Sequence, residues 1–394
     1  VLVAPALGPA DVAELGPEVR AVALAGGGVT AHATIVARSL GLPMVVGLGP
    51  ELLGLTEGET VAVDGSRGRL VRHPGGQRLA AAREDVERRR QARKRAVAQR
   101  LRPAATRDGH RVRVLANAAS LAEVQEALEQ GAEGVGLLRT ELLFLDAEEW
   151  PDADRHHRFL APLLAGLGGR VATVRLLDFG GDKTPPFLAG STGRGVELLV
   201  EAPEALQAQL RALLRAAAEV ELRILIPMVS HLDQVIAVRR ALEAELGEGR
   251  APALGAMIET PEAALHAPEL ASHLDFMSLG TNDLTQLVLG LDRESAGTYP
   301  VTHPAVLRLI DLTMRAARDA GIPVEVCGEA ASDSKALPIL VGLGADELSV
   351  GAARVGEVRE AVRSLDFTAC QESAERALGP VLLDQAGHAG GQSV

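Results

Sequence analysis

From about residue 110 onward the chain repeats one theme. Short β-branched runs, nearly all apolar, turn polar only at their C-terminal ends: "VRVLANA", "GVGLLRTE", "ATVRLLDFGG", "LRILIPMV", "ALGAMIETP", "DFMSLGTND", "PVEVCGEA" and "DELSVG". Amphipathic stretches such as "SLAEVQEALEQG" and "HLDQVIAVRRALEAEL" lie between them. A strand that is apolar along its whole length is buried on both faces, as in a parallel sheet covered by helices. Eight strand–helix alternations across residues 106–380 fit a (β/α)8 barrel, which takes about 250 residues. The competing architecture is an open, doubly wound sheet.

The rest of the chain has other rhythms. Residues 1–75 set short β-rich runs ("VLVA", "AVALAG", "MVVG", "TVAVDG", "RLVRHP") among Gly/Pro turns, which predicts a compact α/β module. The stretch from 79 to about 102 holds no Gly or Pro and is dense in Ala, Arg, Glu and Leu, so a linker helix is expected within residues 76–105, ended by Pro103. Its basic run "RRRQARKR" reads as a solvated helix face. Residues 381–394 read as a flexible tail. The chain opens directly on the apolar run "VLVAPAL". That reads like the middle of a domain, so residues 1–75 are expected to be the C-terminal portion of a larger unit.

Bulk properties narrow the class. The formal net charge of -12 argues against nonspecific nucleic-acid binding. No apolar run is long enough for a membrane span. Two cysteines, Cys327 and Cys370, cannot frame a disulfide scaffold, so a reducing, cytoplasmic setting is the default. Only three of the 40 basic residues are lysines: Lys94, Lys183 and Lys335. In so arginine-rich a chain, each Arg needs its neighbours to make a case for it.

In a barrel of this kind the chemistry sits at the C-terminal strand ends. Those ends supply Asn117, Arg139, Thr140 and Glu141, Arg175 with Asp178 to Lys183, Glu259, Thr281, Asn282 and Asp283, then Cys327 and Glu329, with Arg194 and Arg293 on following loops. Several Arg with an Asn suit an anion bearing more than one acidic group. Glu259 and Asp283 are hard oxygen ligands of the kind Mg²⁺ takes, and Cys327 is a group that can give or take a proton. A small phosphorylated carboxylic acid with Mg²⁺ satisfies all of these. Taken singly, Arg175 reads equally as a salt-bridge residue, Glu259 as part of the helix start at Thr260-Pro261, and Cys327 as a small buried hydrophobe. His32, in "GGGVTAHATIVARSLGLPMVVG", is by itself an unremarked histidine.

Read in order, "GGGVTAHATIVARSLGLPMVVG", "GVGLLRTELLF", "LLDFGGDK", "MIETP", "SLGTNDLTQ" and "EVCGEAASD" resemble the motifs of the phosphoenolpyruvate-utilising enzymes. The likeness is greatest to the Enzyme I (phosphoenolpyruvate–protein phosphotransferase) family of the bacterial sugar phosphotransferase system, and it covers nearly the whole chain. The resemblance implies a swivelling phosphohistidine domain, a phosphoenolpyruvate-binding (β/α)8 barrel, Mg²⁺ dependence and a homodimer formed through the barrel. Residue by residue, it implies that His32 is phosphorylated and that Arg139, Arg175, Arg194 and Arg293 bind phosphoenolpyruvate. Asn282 is implied to contact the phosphate, Glu259 and Asp283 to hold Mg²⁺, and Cys327 to protonate the enolate. Glu197 stands where the family has a second arginine beside Arg194. The family also places half of the phosphohistidine domain, and a helical domain that docks a histidine-containing phosphocarrier protein, before the stretch at which this chain starts. The alternatives are a fragment of pyruvate phosphate dikinase or phosphoenolpyruvate synthase, which need an ATP-grasp domain, and a protein that senses phosphoenolpyruvate without turning it over.

Overall fold

The computed structural model describes residues 1–8, 11–12, 15–16, 18–27, 33–34, 37, 42–65, 67–181, 183–217, 220–247, 249, 251–291 and 300–379. Each of the five β-rich runs of the first module forms a strand. β1 (Leu2–Ala4), β2 (Val22–Leu24) and β3 (Met44–Val45) make a parallel sheet in that order, and β4 (Val61–Asp64) pairs with β5 (Arg69–Arg72) as an antiparallel hairpin. Val12, Val22, Leu24, Ala33, Ala37 and Met44 form the module's own small core.

A helix, Gly76–Ala98, follows. It packs on the helices Leu121–Gln130 and Val355–Ser364. It stops at Ala98, short of the Pro103 expected from sequence. Beyond it the backbone continues in tighter turns, Arg100 on Val97 and Arg102 on Gln99, and the carbonyls left free there are taken by Arg359 (Arg100 at 3.1 Å, Arg102 at 2.6 Å) and Arg363 (Arg102 at 3.1 Å).

The barrel is as the alternation predicted. β6 (Arg113–Ala118), β7 (Gly134–Leu138), β8 (Val171–Arg175), β9 (Glu221–Ile226), β10 (Ala253–Ile258), β11 (Phe276–Leu279), β12 (Val324–Val326) and β13 (Glu347–Gly351) pair in sequence, all parallel. β13 closes on β6 with Glu347 opposite Arg113 and Gly351 opposite Asn117. The intervening segments become helices because their ends are capped. Ser120 accepts from the Glu123 amide at the start of Leu121–Gln130, and Gly131 (φ 93°) ends that helix in the left-handed conformation. Outward-facing strand residues such as Val114, Val174, Ile224, Ile258 and Leu348 join the helices in the main core. A separate apolar cluster of Leu137, Leu225, Met257, Phe276 and Cys327 fills the barrel interior. The Phe276 ring occupies the space a Cβ at Gly255 would take. Among the described residues no helix is long and apolar enough to cross a membrane.

Candidate active site at the C-terminal strand ends

The ends of β7 and β8 hold a buried charge cluster. Arg175 ends β8 and is 4% exposed. Its guanidinium meets Glu141 at 2.5 Å and Asp178 at 3.2 Å, and Lys183 spans the same two carboxylates at 3.3 and 2.7 Å. Burial alone would raise both carboxyl pKa values, but Arg175 and Lys183 outweigh it and hold both below their ordinary values. The salt-bridge reading of Arg175 is therefore part of its structure. Beneath this cluster the buried Thr140 donates to the Arg175 carbonyl (2.9 Å). Gln209, from the helix Pro203–Ala216, donates to Thr140 (3.1 Å) and accepts from the Leu177 amide (2.9 Å).

Arg139, which follows β7, differs. It is half-buried, and its side chain makes no hydrogen bond or ion pair among the described residues. Burial, then the nearby charge of Arg175, lowers its pKa. A desolvated cation beside another cation is a place for an anion to bind.

Glu259, after β10, is 1% exposed and accepts from the Met228 amide at 2.8 Å. It does not cap the following helix. Thr260 does, accepting from Ala263 (3.1 Å) with Pro261 in the first turn. Met228 aims its amide from a left-handed backbone (φ 53°), a conformation costly for a non-glycine residue. The pKa of Glu259 is raised to about 7 by burial, then by the charges of Asp283 and Asp178. Asp283, in the first turn of the helix Thr281–Leu289, pairs with Arg194 at 3.0 Å. Asn282 accepts from the Glu329 amide at 2.9 Å, tying the β11 end to the β12 end.

Cys327 follows β12 and is 3% exposed. Its amide and thiol both face the Leu279 carbonyl, at 3.1 and 3.5 Å. Its own carbonyl accepts from Asn117 (3.0 Å), which in turn accepts from Ser349 (2.7 Å). Burial, then the charge of Glu325, pushes the thiol up to about 12. At neutral pH it is a held proton.

The chain matches two adjoining family descriptions: "PEP-utilising enzyme, mobile domain" over residues 1–68 and "PEP-utilising enzyme, PEP-binding domain" over residues 93–367. The chain belongs to the PEP-utilising enzyme family. Among its relatives is a multiphosphoryl transfer protein of Rhodobacter capsulatus, 41% identical over 96% of the chain and 47% of the relative. Phosphoenolpyruvate-protein phosphotransferases of Haloferax volcanii and Staphylococcus carnosus are 40% and 35% identical, each over 96% of the chain and 69% of the relative. The chain thus spans between about half and two thirds of the length of these relatives.

Of the residues singled out from the sequence, the barrel brings Arg139, Arg175, Arg194, Glu259, Asn282, Asp283 and Cys327 to one set of strand ends. His32 and Arg293 lie outside the described residues, as does the tail. The residues fit a divalent cation. Asp283 is close enough to raise the cost of ionising Glu259, which a cation relieves, and two carboxylates leave Mg²⁺ room for substrate oxygens. Glu259 with Asp283 is the donor set that would hold it. Among the described residues no group of three or more His, Cys, Asp and Glu is poised for a metal by protein ligands alone. Sequence reading gave no role to Gln209, Ser278 or Glu325. Gln209 sits in a helical run whose polar letters resemble a solvent face, and Ser278 and Glu325 sit inside strands.

Proposed function

We propose that this chain takes the phosphoryl group of phosphoenolpyruvate onto His32 and releases pyruvate, for relay to a histidine-containing phosphocarrier protein. The observation that carries this reading is the meeting of Arg139, a cation without a side-chain partner, with the protonated thiol of Cys327 at the same strand ends. An anion held by Arg139 lies beside a group that can protonate it.

Arg139, with Arg175 and Arg194 beside it, binds the substrate's acidic groups; Asn282 and Arg293 complete the set. The neutral His32 imidazole, ordinary pKa about 6.5, attacks phosphorus, and the bond to the enol oxygen breaks. Cys327 gives its proton to the methylene carbon, making the methyl group of pyruvate. Glu259 and Asp283 would hold Mg²⁺, which would supply positive charge against the charge of the transferring group. The module bearing His32 swings between the barrel mouth and the acceptor, the protein is cytoplasmic, and it works as a homodimer.

Labelled phosphoenolpyruvate with Mg²⁺ is expected to leave acid-labile label on the chain and to release pyruvate. Label that persists in His32→Ala sinks the His32 assignment. Cys327→Ala is expected to retain phosphoenolpyruvate binding and lose pyruvate formation; unchanged turnover removes Cys327 from the mechanism. Binding without any pyruvate release is the signature of a sensor.

A further inference from the structure

The polar residues of the barrel do not stop at its mouth. Cross-strand register sets Ser278 of β11 beside Glu325 of β12, Glu325 beside Glu347 of β13, and Glu347 beside Arg113 of β6. Glu347 is fully engaged, meeting Arg113 at 2.7 Å and Arg223 of β9 at 2.9 Å. Glu325 is not. It is 1% exposed, its Oε1 meets the Ser278 hydroxyl at 3.2 Å, and its Oε2 has no hydrogen-bond partner among the described residues. The carboxyl has been given room. A Cβ at Gly136 of β7 would lie 2.5 Å from Glu325 Oε2 and 2.6 Å from Ser349 Oγ.

Glu325 and Cys327 are two residues apart on one extended segment, so both face the interior. The Ser278 hydroxyl meets the Glu325 carboxyl at 3.2 Å and opposes the upward push of burial on the Cys327 thiol, which faces the carbonyl of Leu279, the next residue along from Ser278, at 3.5 Å. The charged and titratable groups that face Glu325 are Glu347, Arg113, Arg223 and Cys327. Burial, then the Glu347 charge, holds the Glu325 carboxyl in its protonated form well above the ordinary carboxylate range, against the opposing pull of Ser278 and the two arginines. A neutral Glu325 leaves two Arg against one Glu, and an ionised Glu325 balances them. The interior therefore stores a proton and tolerates its brief departure.

We propose that Glu325, acting through Ser278, returns a proton to Cys327 after each enolate protonation. The proposal rests on Cys327 being the acid of the proposed function. Its S–H bond breaks as the enolate's electron pair forms the new C–H bond, leaving a thiolate. Ser278 gives its hydroxyl proton to the thiolate and takes the proton of Glu325, so the charge ends on the Glu325 carboxylate. Water at the N-terminal strand ends, where the Arg113 side chain is 31% exposed, restores the lost proton. Cys327 is thus recharged from behind, with no water needed at the mouth. A hydroxyl suits the middle position because it donates and accepts at once.

The test is exchange of the methyl hydrogens of pyruvate in D2O with Mg²⁺, followed by NMR, which requires neither His32 nor a carrier protein. The wild-type chain is expected to exchange them. Glu325→Gln and Ser278→Ala are each expected to lower kcat for exchange about 10-fold or more, with the KM for pyruvate and the melting temperature held. A loss of packing would move KM and melting temperature together. Exchange at the wild-type rate in both variants overturns the proposal while leaving Cys327 as the acid. If Glu325→Gln does not fold, Ser278→Ala decides between the same two outcomes. A wild-type chain that exchanges nothing overturns the Cys327 assignment itself.

Discussion

Two arginines at neighbouring strand ends carry the same charge into different surroundings. Arg175 is locked between Glu141 and Asp178, whereas Arg139 is half-buried without a side-chain partner. Their replacements should therefore part company. Arg139→Met removes a cation that nothing in the protein compensates, so stability is expected to stay within about 1 kcal/mol. Phosphoenolpyruvate affinity is expected to fall about 10- to 100-fold, the worth of roughly 1.5–3 kcal/mol for hydrogen bonds to a charge. Arg175→Met leaves two buried carboxylates with only Lys183 and is expected to cost about 3–5 kcal/mol. Urea unfolding and titration calorimetry measure both, and equal stability losses would contradict the division. Both arginines were legible in the sequence as strand-end cations. Their difference was not, because Glu141 lies on the loop after β7, 34 residues before Arg175, and only the closed barrel brings it to the guanidinium that Asp178 already neighbours in sequence.

Elements, rather than single residues, hold these ends in register. The helix Pro203–Ala216 reaches under β8 with Gln209, which takes the Leu177 amide and the Thr140 hydroxyl. Gln209→Leu keeps much of the volume but strands both groups. It is expected to cost about 1–3 kcal/mol in urea unfolding; a neutral result would show that they find other partners. All eight barrel strands could be read directly because each is a mostly apolar run, broken by few polar residues, that turns polar at its end. The end of the helix Gly76–Ala98 could not, since the turns that follow it have their carbonyls taken by Arg359 and Arg363, more than 250 residues further along the chain. Glu325 escaped notice for a related reason. Inside the apolar run "PVEVCGEA" it looks like an interruption, and only the ring of strands reveals Ser278 on one side and Glu347 on the other.

At the scale of the whole molecule, the core of the first module and that of the barrel share no residue. Scanning calorimetry is expected to resolve two unfolding transitions, the smaller from the module; one transition would mean that the two cores melt as a unit. The ion pairs of Lys183 have a practical consequence for such a lysine-poor chain. Lys94 and Lys335 are exposed, while the Lys183 amine is tied to Glu141 and Asp178 with its side chain 17% exposed. An amine-directed acylating reagent therefore meets two open side chains and one guarded one. The rate at which the third is tagged, read by peptide mass, follows the opening of the charge cluster without any label being engineered into the protein.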